Sequence, residues 1–470
     1  MAVKLPDPRL AVAVTAAKSV SAASRRLGRG GGTAAPGLVA DRIDPRLLGK
    51  ISAQLARGAV VVAGTNGKTT TSRIVADLLE ADGARVVHNR SGSNLVRGVA
   101  AAFAESSNVF GRPGGDAGVI EADEAAFPEI VQRVQPRVVL LNNLFRDQLD
   151  RYGELHTIAT KWKPALAALP ASSTVVVNVD DPALAVLTDG LTARRVTFGM
   201  RDIAYRLDEV PHAADSIRCP ICDTALEYAA LYLSHLGDWR CPKCGAARPA
   251  LDFAGEAVQL DGVERLTMAI AEQSGVTWPL EIGVPGLYNA YNALAASAVG
   301  RTLGINARTI AATMVEFRSA FGRIERLTYR NRNITIALVK NPVGFNEVLR
   351  MLVTDGELTV PALIAINDLA ADGRDVSWLW DVDFELLGGA GAPIATAGIR
   401  GTDMANRLKY AGVEIDRLSS FEGELDQALD RFVDAVPDGE TAYILPTYTA
   451  MLEIRQILAG KGAIQQFWEQ

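Results

Sequence analysis

Hydrophobic positions along this chain follow a helical rhythm first and a strand rhythm later. Apolar residues through Leu10–Ala17, followed by Lys18, Arg25, Arg26 and Arg29, predict an N-terminal amphipathic helix with a basic side. Gly28–Gly32 and then Pro36-Gly37 break helix and mark a loop. From Ala59 onward short β-rich runs alternate with helical segments. The runs Ala59–Ala63, Arg85–His88, Val119–Glu121, Val138–Asn142 and Thr174–Val179 predict strands of a mostly parallel sheet with helices on both faces. The alternation lapses between about Ala204 and Thr277 and resumes with a helix around Ala290–Leu303. A second α/β unit begins near Phe321, with strands expected at Ile334–Val339, Ala362–Asn367, Pro393–Ala397 and Ala442–Leu445. The sequence shows no internal repeat. The expected division is an N-terminal helix with a Gly-rich segment (1–50), a central domain (51–320) interrupted by an insertion at about 204–277, and a C-terminal domain (321–470).

A chain of 470 residues exceeds one ordinary core, and 49% hydrophobic residues are ample for several. The net charge of −6 speaks against a chain-wide grip on nucleic acid. No apolar run approaches the roughly 18–20 residues of a membrane span, so no transmembrane segment is expected. Leu10–Ala17 lacks the basic lead of a secretory signal. The expected location is cytoplasmic, with the N-terminal helix able to rest weakly on the inner face of the cell membrane.

Chemistry first shows after the strand Val60–Ala63, where the chain reads Gly64-Thr65-Asn66-Gly67-Lys68-Thr69-Thr70 and enters a helix. Glycines let backbone N–H groups close around phosphate oxygens, and the helix N-terminus adds positive potential. Lys68 is placed to neutralise β- and γ-phosphates, and Thr69 to ligate Mg²⁺. Two residues separate the glycines, where the strict P-loop has four. A plain glycine turn is the alternative, and Lys-Thr-Thr sets this one apart.

All four cysteines lie in the insertion as two Cys-x-x-Cys pairs, Cys219/Cys222 and Cys241/Cys244, eighteen residues apart. That spacing suits a four-thiolate zinc ribbon, a closed and therefore structural site. Two disulfides are the rival arrangement, disfavoured in a cytosolic enzyme.

A third cluster follows the strand Ala362–Asn367: Asp372, Asp375 and Asp381 with Trp378 and Trp380. The C-terminal end of a parallel strand is where ligands and partners gather. A solvated loop with tryptophans closing a core is the plain alternative.

Gly64–Thr71 resembles the ATP loop of Mur ligases and folylpolyglutamate synthases. Further segments match in the family's order. Glu121-Ala-Asp-Glu124 resembles the acidic segment whose first carboxylate holds magnesium, and Asp147-Gln148-Leu149-Asp150 the segment usually reading Asp-His-Leu-Asp. Asn178–Pro182 and Gly286–Asn292, which includes Asn289, look like nucleotide-base and ribose contacts, and Phe321–Glu325, with Arg323, like the segment that reaches the phosphates. The resemblance implies a Mur-ligase-like P-loop central domain with a Cys₄ zinc-ribbon insertion, followed by a Rossmann-like C-terminal domain. It implies ATP held by Gly64, Thr65, Asn66, Gly67, Lys68, Thr69, Thr70, Asn289, Asn292 and Arg323, Mg²⁺ at Thr69 and Glu121, and structural Zn²⁺. Lys68 and Glu121 would carry the phosphoryl chemistry.

Departures from the family pattern narrow this further. Gln148 stands where a metal-binding His is usual. Lys161 is near the place of a lysine that many Mur ligases carbamylate, and equally reads as a surface lysine beside Trp162. Ala337-Leu338-Val339-Lys340-Asn341-Pro342 replaces an Asp-Tyr-Ala-His-Asn-Pro-like segment, so the side that accepts an amino acid is rewritten. Only 63 residues precede the loop, too few for the usual domain that holds a UDP-linked substrate. Asp403–Tyr410 and Thr447–Met451 also agree with an amidating branch of the family. Membership there implies ATP-dependent amidation of the D-glutamate α-carboxyl of lipid II to D-isoglutamine through an acyl phosphate. Ammonia would come from a GatD-type glutamine amidotransferase subunit, whose Cys-His pair an aspartate of this chain completes: Asp381 first, then Asp375 or Asp372. The remaining alternatives are a stand-alone amide ligase that adds an amino acid and a non-catalytic ATP-binding zinc scaffold.

Overall fold

The structure is a computed structural model that describes residues 7–26, 34–89, 93–145, 155–202, 204–212, 214–261, 264–318, 324–354, 357–389 and 391–464. Gln148, Arg323 and the glycine stretch 28–32 lie outside the described residues.

Among the described residues eleven strands of the first unit follow the N-terminal helices in chain order: β1 Gly58–Ala63, β2 Val86–His88, β3 Ala117–Glu121, β4 Val138–Leu141, β5 Thr174–Asn178, β6 Arg194–Met200, β7 Glu227–Leu233, β8 Leu236–Arg240, β9 Phe253–Asp261, β10 Arg265–Glu272 and β11 Thr277–Ile282. Nine of them form one sheet in the order β11-β10-β9-β6-β5-β4-β1-β3-β2. Pairing is parallel from β2 to β9, and β10 and β11 close that edge antiparallel. The strand sequences are nearly continuous apolar runs because both faces are covered. Val60 and Val62 face one core with Ile74, Val75 and Leu78, whereas Val61 and Ala63 face the other with Val99, Phe103 and Trp162. Strands β9 to β11 fall partly in the span grouped with the insertion from sequence, yet β9 pairs with β6 inside the main sheet. Their alternating polar positions look unlike the buried strands because they form the half-exposed edge. Only β7 and β8 stand apart, as a separate antiparallel hairpin.

Helix Pro8–Arg26 buries Leu10, Ala13, Val14 and Ala17, an i, i+3, i+4, i+7 stripe, in the second of these cores. The apolar side that could rest on lipid is thus spent within the chain, and Lys18 Nζ donates to the Glu105 carbonyl at 2.7 Å. Pro36-Gly37, expected in a loop, lies in the first turn of helix Ala34–Ile43. Proline is tolerated there, where its N–H has no helical acceptor. Gly37 is required by close packing: a Cβ would sit 1.7 Å from the Arg97 carbonyl oxygen. Among the described residues no helix is long and apolar enough to cross a membrane.

The C-terminal unit adds β12 Ile324–Tyr329, β13 Arg332–Ala337, the short ladder β14 Val353–Thr354 with β15 Glu357–Leu358, then β16 Ala362–Ala365, β17 Ile394–Ala397, β18 Leu418–Ser420 and β19 Thr441–Pro446. Six of these form a sheet ordered β12-β13-β19-β16-β17-β18, parallel except for the β12–β13 hairpin. Apolar cores cover both faces, with Ile364 on one side and Leu363 on the other.

Candidate functional site

The C-terminal ends of β1, β3 and β4 converge. Because β1 lies between β3 and β4, the chain crosses from one side of it to the other, which is where open α/β sheets bind ligands. Gly64 and Gly67 have φ of 142° and 81°, and a Cβ at Gly67 would lie 2.0 Å from Asn292 Oδ1. Other residues fit neither position. The loop is fastened from below. Thr65 Oγ1 donates to the Phe145 carbonyl and accepts from the Phe145 N–H, both at 3.0 Å. Asn143 clasps Asn66, accepting from its N–H at 2.8 Å and donating to its carbonyl at 3.1 Å.

Lys68 opens helix Lys68–Ala81 and is buried. Its Nζ donates to Glu124 Oε1 at 2.7 Å and to the Thr65 carbonyl at 3.1 Å. Burial raises the Glu124 carboxyl above its ordinary range, with the Lys68 charge pulling the other way. Glu124, a residue of the acidic segment given no role from sequence, is therefore the counter-charge of the loop lysine. Trp162 holds it in place, donating from Nε1 to the Glu124 carbonyl at 2.9 Å. Glu121 ends β3 and is buried, with its main chain clasped on both sides by Asn89 at 2.9 Å. Among the described residues no group donates to its side chain. Thr69 is half-buried and Thr70 buried at the same helix start.

Asn292 also reaches the loop. Its Oδ1 accepts from Thr71 Oγ1 at 3.2 Å, and its Nδ2 donates to Asn289 Oδ1 at 3.1 Å. Asn289 in turn donates to the Pro285 carbonyl at 2.7 Å, so it positions Asn292 from one turn away. Asp180 and Asp181 differ from their expected nucleotide role. Asp180 is sealed inside, accepting from the Met200 N–H and Tyr291 hydroxyl at 2.7 Å and from Arg248 Nη1 at 2.8 Å. Asp181 caps helix Pro182–Leu187 and accepts from the Leu144 N–H at 2.8 Å. Both carboxylates are used to lock the sheet end, with none of their surface left for a ligand. Lys161 is exposed, whereas its neighbour Trp162 is buried.

The C-terminal unit meets the loop directly. Asn341 caps helix Pro342–Leu352 by accepting from the Gly344 N–H at 2.8 Å, and donates to Asn66 Oδ1 at 2.9 Å. Between the two units lies a narrow cleft lined by Asn66, Gly67, Thr70 and Asn292 on its polar side. Phe145, Leu233, Leu236, Val343 and Val348 supply an apolar side that the sequence pattern did not single out, joined by Tyr288 of the Gly286–Asn292 segment. A polar phosphate loop beside an apolar slot suits a nucleotide.

The cysteine sulfurs all lie within 4.8 Å of one another, with Cys219–Cys244 at 3.6 Å and Cys222–Cys241 at 3.5 Å. Tetrahedral Zn²⁺ with Zn–S of roughly 2.3 Å separates its sulfurs by roughly 3.8 Å, so the four thiols fit such an ion. Disulfide sulfurs would be at about 2.05 Å, and the cysteines are free.

The acidic aromatic segment separates into distinct parts. Asp372 is buried and accepts from the N–H and hydroxyl of Thr449. Asp375 is exposed and accepts from the Ser377 N–H at 2.8 Å. Asp381 ends the 3₁₀ turn Ser377–Asp381, half-buried. Beside it Trp380, 54% exposed, packs on Tyr410, 76% exposed, with ring centroids 5.6 Å apart. Arg407 lies under Trp380 at 5.3 Å.

This arrangement of sheet, loop and second domain defines a Mur-type ligase. Residues 62–237 match the Mur ligase middle domain and residues 338–451 the MurT ligase C-terminal domain. Among solved structures, a pseudomurein peptide ligase type C from Methanothermus fervidus aligns with a TM-score of 0.64 at 18% identity, covering 86% of this chain and 78% of that one. MurF from Acinetobacter baumannii aligns with 0.62 at 16%, covering 89% and 80%. Subunit MurT of the glutamine-hydrolysing lipid II isoglutaminyl synthase of Streptococcus pneumoniae is 33% identical over 94% of this chain and 95% of its own. Its Staphylococcus aureus counterpart is 32% identical over 93% and 95%. The chain belongs to the MurT family.

Proposed function

We propose that this chain is the ATP-consuming subunit of a lipid II isoglutaminyl synthase, amidating the D-glutamate α-carboxyl. What carries the proposal is the buried Lys68, held at the end of β1 beside an apolar slot, in a chain related over nearly its whole length to MurT subunits. The triphosphate lies with its anionic end against the Gly64–Thr70 N–H groups and Lys68. Thr69 and Glu121 are the residues that would hold Mg²⁺, which supplies charge neutralisation on the phosphates. A carboxylate oxygen of the substrate attacks the γ-phosphorus and ADP leaves. Ammonia nitrogen then attacks the carbonyl carbon of the acyl phosphate, phosphate departs, and surplus protons pass to solvent. The contribution of Lys68 and the loop is positioning and electrostatic stabilisation of the transferring phosphoryl group. Arg323 and Asn292 complete the nucleotide contacts in this proposal, with Asn289 behind Asn292.

All four cysteines belong to the ribbon, so no thiol remains to hydrolyse glutamine. Ammonia therefore comes from a second chain, a GatD-type glutaminase. The exposed pair Trp380 and Tyr410 offers the aromatic surface that protein interfaces favour, and Asp381 beside it can orient a partner histidine. The reaction takes place where lipid II lies, at the inner face of the membrane.

ADP release should require lipid II together with ammonium or the glutaminase, and free amino acids should not replace ammonium. ADP release driven by an amino acid, with that residue added to the product, would make the chain a stand-alone amide ligase. No substrate-dependent ADP release under any of these conditions would make it a scaffold.

A further inference from the structure

We infer that the hairpin of the cysteine ribbon is a wall of the nucleotide slot, and that metal at the four cysteines sets nucleotide affinity through it. The inference rests on the nucleotide reading above and adds a role for the insertion. Leu233 and Leu236, the last residue of β7 and the first of β8, line the cleft that also holds Asn66, Gly67 and Asn292. Between them His235 is fully buried. Its ring lies edge-on to Phe145, with centroids 4.9 Å apart, and Nε2 is 3.4 Å from Asp181 Oδ2. Phe145 lines the cleft, and its main-chain N–H and carbonyl exchange hydrogen bonds with the Thr65 hydroxyl of the phosphate loop. The turn is thus one side chain removed from the loop. From the other side, Arg350 Nη1 of helix Pro342–Leu352 reaches the Tyr232 carbonyl at 3.4 Å, the helix whose Val343 and Val348 face the same cleft.

The hairpin shares no ladder with either large sheet and is attached through side chains, Tyr232, Leu233 and Leu236 packing in one core and Trp239 in the other. Near its tip the Gly237 N–H donates to the Asp180 carbonyl, and toward the cysteine end Trp239 Nε1 donates to the Val179 carbonyl, each at 3.0 Å. Its other end is bounded by the knuckles: Cys241 follows β8 directly, and Cys222 precedes β7 by a few residues. Metal ligation at that end closes the hairpin and holds its leucines in register. Trp239 keeps β8 in place, so without metal it is β7, with Glu227 and Ala229 exposed, that loses its tie to β8 at the cysteine end, and the slot loses the fixed position of Leu233. The occupant that suits such a wall beside a phosphate loop is the flat face of a purine base.

The experiment titrates MgATP calorimetrically into the full chain with its partner. The protein is taken as purified, after zinc removal by a chelator and desalting, and after zinc is returned, with metal content measured each time. Removal should weaken binding roughly tenfold, on the scale of a hydrophobic-pocket contact, and return of zinc should restore it. Leu236→Ala should weaken binding similarly in zinc-loaded protein, and zinc removal should then add little, because the two changes act through one element. Unchanged affinity in verified zinc-free protein overturns the inference, as does a loss that zinc does not reverse. Absence of MgATP binding by the zinc-loaded protein overturns the nucleotide reading itself.

Discussion

Lys68→Ala is expected to lower ATP-dependent amidation of lipid II by on the order of 10³-fold, even with ammonium supplied in place of the glutaminase. Transferring a phosphoryl group develops charge that must be met by fixed positive groups already in place, and in the proposed reaction the buried ammonium of Lys68 is one. The measurement is amidated lipid II by mass spectrometry over a time course. Retention of more than about a tenth of turnover would remove Lys68 from the mechanism. The variant also leaves Glu124 without its cation. Burial already raises that carboxyl, and losing Lys68 removes a cause that lowers it. A carboxyl raised in the folded state contributes stability below its unfolded pKa and loses it as pH rises through the folded one. Lys68→Ala should therefore melt at lower temperature in mildly alkaline than in mildly acidic buffer. The double variant Lys68→Ala/Glu124→Gln should lose that pH dependence without recovering turnover.

The second large effect is expected at Asp381. Asp381→Asn should lower glutamine-dependent amidation by about 10³–10⁴-fold, the scale on which an orienting carboxylate supports a catalytic histidine. Ammonium-dependent amidation should stay near that of the unaltered chain, because Asp381 lies in the C-terminal unit beside Trp380 and does not line the cleft at the phosphate loop. Asp375→Asn should affect neither reaction strongly, as this exposed residue caps only its own turn. Asp372→Asn should instead destabilise the fold, because Asp372 is buried and fastens Thr449 at the start of a helix. A normal glutamine reaction in Asp381→Asn, with loss in Asp375→Asn, would move the partner-facing role to Asp375.

How much of this was legible in sequence follows the range of each interaction. The loop Gly64–Thr70 is local: two glycines, a lysine and a helix start are adjacent, and the structure forms the strand, turn and helix expected of them. Asn289 and Asn292 were legible through their order in the chain, and both lie at or behind the loop. Glu124 was read together with Glu121, but which carboxylate meets Lys68 depends on the turn after β3 and on Trp162 behind it. Asp180 turned inward because its partners Arg248 and Tyr291 come from distant elements that no local pattern connects. The contact of Asn341 with Asn66 spans 275 positions. Leu233 and Leu236 look like ordinary hairpin residues until the fold lays their turn against Phe145. The ribbon spacing gave four sulfurs in one place, yet the extent of the insertion was overdrawn, since β9 to β11 complete the main sheet.

Transfer of the terminal phosphoryl group to the substrate carboxylate is most directly tested by following that carboxylate's oxygen. Lipid II carrying ¹⁸O in the D-glutamate α-carboxylate is amidated with MgATP and ammonia, and the released phosphate is analysed by mass spectrometry. An acyl phosphate requires one ¹⁸O in each phosphate formed along with amide, because the carboxylate oxygen leaves attached to phosphorus. Amide formation accompanied by unlabelled phosphate would contradict it.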